Sequence, residues 1–308
     1  MNKENIITLN HNQQLTIGIS TRALFDLEKE NEIFENEGSS AYVDYMISHE
    51  DEILSPGDAF PLIKALLALT RPDGEPLCKV VIISKNSAQS SLRIFNSIEY
   101  YGLNITQAAL TTGNNVSPYF NAYGIDLFLS ANESDVKEAL AGGIAAATLI
   151  HTESLNNRVL SQIKIAFDGD CVLFSDEAEK IFQSKGIEAF SLNEKEKANQ
   201  PLEKGPFANL LATISLIQTM YKDEEQVPIK TALITARSIP AHKRVLKTLR
   251  AWNVRIDEAH FLGGTEKTEI IKAFGAHIFF DDNEENLRLA STVVLSAKVP
   301  NSLATESA

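Results

Sequence analysis

The chain has 308 residues, 44% of them hydrophobic, and a formal net charge of −13. That apolar content suffices for a substantial core in two lobes, and the acidic balance argues against a nucleic-acid polymer or an anionic membrane surface as partner. With only Cys78 and Cys171 there is no disulfide scaffold, which fits a reducing compartment.

Met1 to Gln14 is polar and lacks the apolar run of a signal peptide, and no stretch approaches transmembrane length, so the expectation is a soluble cytoplasmic protein. Leu15 to Ile19 reads as a strand, and residues 26–53 are charged and helical in part. Ser55-Pro56-Gly57 marks a turn before helical spacing over Ala59 to Leu69. Lys79 to Ser84 is a strand, Ser91 to Tyr101 a helix ended by Gly102, and strands return near Ala108–Leu110 and Ile125–Leu129. Ser134 to Ala147 reads as a helix whose end Gly142-Gly143 weakens.

The second half follows the same plan. Ile163 to Phe167 is a buried strand broken by Asp168-Gly169-Asp170, with Ser175 as a helix N-cap and Asp176 and Glu177 in the first turn. Alternation sets Asp168 and Asp170 on one side of the turn, where two like charges call for a cation or a shared proton. An EF-hand loop does not fit, because Cys171, Val172, Leu173 and Phe174 follow where oxygen ligands are needed. Thr231 to Ile234 is a strand ending at Thr235, and Ser238 caps a helix with Pro240 in its first turn and Val245, Leu246, Leu249 and Trp252 on its apolar face. Strands are expected near His260–Leu262 and over Ala276–Phe280, the latter ending at Asp281-Asp282. The stretch from Asn301 to Ala308 reads as a disordered tail. Alternating strands and helices predict a parallel α/β sheet.

The two halves match without a gap at a constant offset of 151 residues, which pairs Ser84 with Thr235, Arg93 with Arg244, Ile105 with Ile256, Gly113 with Gly264, and Phe128 with Phe279. With a small insertion, Ser20 falls on Asp168 and Arg22 on Asp170. Ser130, Ala131 and Val116 stand where the second half has Asp281, Asp282 and Lys267. This pattern predicts a duplicated unit whose N-terminal copy has lost its acids. The predicted lobes are residues 1–152 and 153–304, with a helical cap inserted at about 178–228 and a tail at 305–308.

Alone, each candidate has an ordinary explanation: Thr235 can cap a turn, Lys267 can be a solvated lysine, and Asp281-Asp282 with Glu284 and Glu285 can be an acidic surface. As an ordered set at the C-terminal edge of a doubly wound sheet, they point to one site. The set resembles the four motifs of the haloacid dehalogenase superfamily. Ser20-Thr21-Arg22-Ala23-Leu24-Phe25-Asp26, Phe167 to Glu177, Thr235-Ala236-Arg237-Ser238, Arg244 to Arg250 and Ile278 to Asp282 are similar, more narrowly, to the cytosolic 5′-nucleotidase I family.

The resemblance implies a haloacid dehalogenase-like fold and Mg²⁺-dependent hydrolysis of a nucleoside 5′-monophosphate. It casts Asp168 as nucleophile and Asp170 as general acid and base, with Thr235 and Lys267 on the phosphoryl group. Asp168, Asp170 through its backbone carbonyl, Asp281 and Asp282 would hold the metal. The cap would read the nucleoside, with Phe182, Phe190 or Phe207 available to stack on a base. In the first half, Ser20, Thr21, Arg22, Ser84, Lys85 and Asn86 would line a binding pocket for an anion or a nucleotide effector, or that lobe would be structural or dimerising. Two alternatives stay open: a phosphatase of another small metabolite, and a nucleotide sensor with little turnover. The scattered histidines show no zinc spacing, and there is no Walker loop, G-x-S-x-G elbow or G-x-G-x-x-G.

Overall fold

Short runs of branched and small apolar residues build one ten-stranded sheet in the computed structural model, which describes residues 14–152, 162–221 and 227–301. The strands are β1 (Leu15–Ile19), β2 (Cys78–Ser84), β3 (Gln107–Leu110), β4 (Leu127–Ser130), β5 (Ala145–Ile150), β6 (Ile163–Phe167), β7 (Ile229–Thr235), β8 (Glu258–Phe261), β9 (Ile278–Asp281) and β10 (Leu295–Lys298). Their order is β3-β2-β1-β4-β5-β10-β9-β6-β7-β8. Every neighbouring pair is parallel except β5–β10, which is antiparallel and joins the two halves at the middle. Both faces are covered by helices, as a parallel sheet requires. The expected tail at 305–308 lies outside the described residues, and the expected lobe boundary at 152–153 falls at their edge.

In the first half the helices are α1 (Thr21–Leu24), α2 (Glu28–Glu37), α3 (Ser39–Ser48), α4 (Phe60–Leu67), α5 (Leu92–Tyr100), α6 (Ser117–Tyr123) and α7 (Glu133–Ala141). In the second they are α8 (Glu177–Glu196), α9 (Ala208–Gln218), α10 (His242–Ala251), α11 (Thr268–Phe274) and α12 (Glu284–Ala290). Two strands differ from expectation. The helix expected over Ser134–Ala147 stops at Ala141, because Gly143 takes a positive φ of 79°, and the small residues Ala145 to Ala147 then run buried through the sheet as β5. The sequence reading left β10 unassigned; it is four residues long and gains its order from pairing with β9 on one side and β5 on the other. Ser238 stands before a short 3₁₀ turn at Ile239–Ala241 rather than the α-helix itself, and Leu246 is partly exposed on α10.

Several features recur in the two halves. Strand order around β1 in the first half is the order around β6 in the second. Gly57 donates to Leu24 O and Gly205 to Leu173 O, each at 2.9 Å. Both glycines permit a close backbone crossing: a Cβ would fall 2.8 Å from the carbonyl carbon of Phe25 or 2.3 Å from Phe174 O. Ser97 and Thr248 each accept a backbone N–H, from Leu54 and Leu202, and donate to the carbonyls of Arg93 and Arg244. Before α4 lie α2 and α3, broken at Gly38; before α9 lies α8, broken at Gly186. Within the stretch 178–228, α9 belongs to the main core, with Leu211, Ile214 and Ile217 fully buried, while most of α8 is exposed. Among the described residues no helix is long and apolar enough to cross a membrane.

One matched position differs in charge. Asp126 Oδ2 accepts from Thr16 N at 2.8 Å, and His277 Nδ1 accepts from Lys164 N at 2.8 Å at the corresponding strand start. The neutral imidazole does this without a buried charge, and burial lowers the His277 pKa. Burial pushes Asp126 the other way, up to about 6. A carboxyl with a raised folded-state pKa favours the folded state at low pH, and that contribution is lost as pH rises through the folded pKa. Asp126→Asn is therefore expected to gain about 1–2 kcal/mol over wild type at pH 7. The gain should shrink towards zero as pH falls to about 4.5. Urea unfolding at both pH values checks this; an equal effect at both would remove titration as its cause.

Candidate functional site

The C-terminal end of β6 releases the chain into a wide turn. Asp168 leaves the strand in extended conformation, and Phe174 N donates to Gly169 O at 2.9 Å to close the turn. In the first half the matching bond runs from Phe25 N to Thr21 O, also at 2.9 Å, across a turn one residue shorter. The extra residue is Cys171, which sits in the left-handed region at φ 62°. A Cβ on Gly169 would stand 3.2 Å from Thr235 Oγ1, so this turn and the end of β7 form one wall. Thr235 is buried, and its hydroxyl accepts from Arg237 N at 3.2 Å.

Lys267 stands at the N-terminus of α11 with its side chain almost wholly buried. Its ammonium lies 2.7 Å from Asp168 Oδ1 and 2.7 Å from Asp281 Oδ2. Burial works against its charge, but Asp168 and Asp281 outweigh that and hold it above the usual lysine range. Asp281, with no exposed surface, is further held by Asn283 N and Asn286 Nδ2. Asp282 accepts from Asn301 Nδ2 at 2.9 Å. Burial drives Asp168 up to about 8, Lys267 opposing it and Asp281 and Asp282 reinforcing it. Burial and then Asp281 push Asp282 up to about 6. Asp168, Asp281 and Asp282 each present an oxygen within 4.8 Å of the others, a group able to hold a cation. Three carboxylates against one ammonium are an all-oxygen donor set with negative charge to spare.

The carboxylate of Asp170 points elsewhere. Arg237 clasps it with two hydrogen bonds, Nε to Oδ2 at 2.8 Å and Nη2 to Oδ1 at 2.7 Å. The same guanidinium gives Nη1 to Glu194 on α8 at 2.5 Å. Arg244 binds the other oxygen of Glu194 at 2.7 Å and reaches Glu177 at 3.1 Å, and Lys197 closes on Glu177 at 2.5 Å. Arg237, Arg244 and Glu194 are all buried. A continuous ion-pair chain thus runs from the β6 turn into α8. Sequence reasoning did not single out Arg237, Arg244 or Glu194 as site residues. Arg237 lay within the quoted Thr235 to Ser238 run and Arg244 was a matched position of the repeat, but nothing in the sequence marked Glu194 among its acidic neighbours. Asp176 occupies the position before α8 without a side-chain cap bond, and the Ser175 hydroxyl accepts from Glu177 N at 3.5 Å. Phe207 lies in the core against Phe167 and Phe280, Phe182 is partly exposed, and Phe190 lies under Arg237 at 5.4 Å.

The first-half candidates also converge. Thr21 Oγ1 lies 3.3 Å from Ser84 Oγ, and Asn86 Nδ2 donates to Thr21 at 3.4 Å. Ser20 Oγ accepts from Ala23 N and Ala131 N. Their cations are engaged: Arg22 grips Glu28 with two bonds of 2.8 and 2.7 Å, and Lys85 lies 2.6 Å from Asp135 and 3.3 Å from Glu138.

A family model described as 5′-nucleotidase matches residues 7–306. Human cytosolic 5′-nucleotidase 1B is 38% identical over 279 residues, which is 87% of this chain and 46% of the relative. The chain therefore spans about half the length of that curated relative. Among solved structures, a histidinol dehydrogenase from Elizabethkingia anophelis aligns over 96% of this chain and 82% of its own, at 10% identity and a TM-score of 0.24, too low to carry an argument.

The buried position of Glu194 between two arginines yields a stability expectation. Glu194→Ala strands two buried guanidinium groups and is expected to cost about 3–5 kcal/mol in urea unfolding. Glu194→Gln, which keeps one acceptor, should cost less. A loss below about 1 kcal/mol for the alanine variant would mean that solvent already screens the chain of ion pairs.

Proposed function

The chain belongs to the cytosolic 5′-nucleotidase I family, and from that premise we propose that it is a Mg²⁺-dependent phosphoric monoester hydrolase acting on nucleoside 5′-monophosphates in the cytoplasm. The observation that carries the reading is the convergence of Asp168, Lys267, Asp281 and Asp282 at the ends of β6 and β9. Open α/β sheets place their ligands at that edge. We further propose a haloacid dehalogenase-like fold in two diverged copies, residues 1–152 and 153–304. The shared strand order, the paired glycine crossings and the paired Ser97 and Thr248 bridges support this. The cap is best placed in α8 and the loop after it, since α9 is part of the core.

The donor set suits magnesium, which takes oxygen ligands and keeps several waters. Asp168, Asp281 and Asp282 would hold it, with the backbone carbonyl of Asp170 as the further ligand that the family resemblance implies. A bound Mg²⁺ supplies positive charge that keeps Asp168 ionised and offsets charge on the phosphoryl oxygens.

Asp168 attacks phosphorus, the bond from phosphorus to the ribose oxygen breaks, and an aspartyl-phosphate forms. Asp170 gives its proton to the departing ribose oxygen, then takes one from the water that attacks the aspartyl-phosphate. That second attack breaks the bond from phosphorus to Asp168, releasing phosphate and restoring the Asp168 carboxylate and the protonated Asp170. Lys267 and the Thr235 hydroxyl hold the phosphoryl oxygens. Arg237 holds the Asp170 carboxylate with two hydrogen bonds, so proton donation requires that carboxyl group to leave the arginine and turn towards the ester. The ion-pair chain ties that turn to the position of α8.

Phosphate release from nucleoside 5′-monophosphates and from sugar phosphates tests the reaction. Release from nucleotides is expected with Mg²⁺ and none with excess EDTA. Asp168→Asn should lower kcat by at least about 10³-fold, and Asp170→Asn by about 10²–10⁴-fold. Release from sugar phosphates alone would retain the chemistry and discard the nucleotide. No release from any ester would overturn the proposal.

A further inference from the structure

The first half encloses a cavity of about 860 Å³ at the C-terminal edge of β1, β2 and β4, the edge that carries the acidic centre in the second half. Its volume falls within the range of small-molecule sites. Its floor is made of hydroxyls and an amide, with Thr21, Ser84 and Asn86 joined by bonds of 3.3 and 3.4 Å. Bonds this long are weak, and the three groups have donors and acceptors left for a ligand. One wall is aromatic: Phe34 on α2 and Tyr42 on α3 meet edge to face at 6.0 Å, and Phe34 is half exposed.

The charge around the cavity decides the class of ligand. Lys267 of the second half is matched here by buried Val116, and Arg237 by Asn86. The two remaining cations are already neutralised, Arg22 by Glu28 and Lys85 by Asp135 and Glu138. A phosphate dianion would meet no uncompensated positive charge on these residues and would have to break an existing ion pair. An uncharged ligand with hydroxyls for the floor and a planar ring for Phe34 needs no such exchange.

We propose that this cavity binds a nucleoside, with sugar hydroxyls on Thr21, Ser84 and Asn86 and the base against Phe34, without hydrolysing anything. The choice of a nucleoside among uncharged polyhydroxylated ligands rests on the nucleotidase reading of the matched edge. The geometry of the cavity does not.

Calorimetric titration of the full chain with adenosine, uridine, ribose, ADP and inorganic phosphate tests the proposal. It should use wild type, Phe34→Ala and Ser40→Trp, the last placing a bulky ring on the exposed rim of the cavity. The expected result is a nucleoside site in wild type whose affinity falls at least tenfold in both variants, with phosphate release and thermal midpoint near wild type in each. Nucleoside binding unchanged in both variants would place the site elsewhere. Binding of ADP and phosphate that nucleosides do not displace would make the cavity an anion site. No binding of any nucleoside at millimolar concentration would likewise overturn the proposal. Phosphate release assayed on the same samples keeps failure of the cavity distinct from failure of the nucleotidase reading.

Discussion

The ammonium of Lys267, 2.7 Å from a carboxylate oxygen on either side, is the contact on which the acidic edge depends. Asp168 and Asp281 end neighbouring strands and are both buried, so a parallel sheet brings them together whether or not their charges agree. A single cation between them makes the pairing tolerable, yet Asp282 adds a third carboxylate that Lys267 does not reach within ion-pair distance. The excess appears as the upward displacement of Asp168 to about 8 and of Asp282 to about 6, driven first by burial. Buried negative charge in surplus of its partners is costly in a folded protein. A divalent cation would resolve that imbalance.

The second organising contact is the guanidinium of Arg237. It spans Asp170 in the turn after β6 and Glu194 in α8, two groups separated in sequence and joined only by the fold. Because Arg244 on α10 takes the other oxygen of Glu194 and also reaches Glu177, α8 is fastened near both of its ends to α10. Few apolar side chains of α8 are buried, so ion pairs set its position to a degree unusual for a helix. Such pairs are directional and can be exchanged, unlike apolar packing.

How much of this was legible follows from the range of each signal. Strands β1, β2, β6, β7 and β9 were readable because their apolar runs are long or end in a polar break. Strand β5 was not, because Ala145 to Ala147 suits a helix as well as a strand, and only burial between β4 and β10 decides the matter. The order of Asp168, Thr235, Lys267 and Asp281 along the chain pointed to one sheet edge, because a doubly wound topology takes the C-terminal ends of its strands there, and Lys267 does lie against Asp168 and Asp281. Asp170 shows where alternation fails: it predicts one face for both acids, but the wide turn at Cys171 gives the second acid to Arg237. Glu194 was invisible because its burial depends on two arginines about 40 to 50 residues away. Lys85 suggested a positive pocket for the same reason, since Asp135 and Glu138 sit far along the chain from it, whereas Glu28, the partner of Arg22, lies only six residues on.

The matched halves separate what the fold needs from what it does not. Ser130 Oγ accepts from Asn132 N at 3.0 Å just as Asp281 Oδ1 accepts from Asn283 N at 2.8 Å. Ser84 Oγ accepts from Asn86 N as Thr235 Oγ1 accepts from Arg237 N. Asn132 and Asn283 cap the following helices in the same way. Each turn is thus completed by a hydroxyl in one half and by a hydroxyl or a carboxylate in the other, so the backbone is indifferent to the charge. The backbone turn at Asp281 needs only an acceptor there, as Ser130 provides in the first half, and buried Val116 stands at the start of the matching helix without a lysine. Charges that the backbone turns do not require, buried at a cost and gathered at one end of two strands, support the proposed ligand site. The single inserted residue, Cys171, belongs to the same category. It adds a left-handed step to a turn that closes without it in the first half, beside the residue that pairs with Arg237.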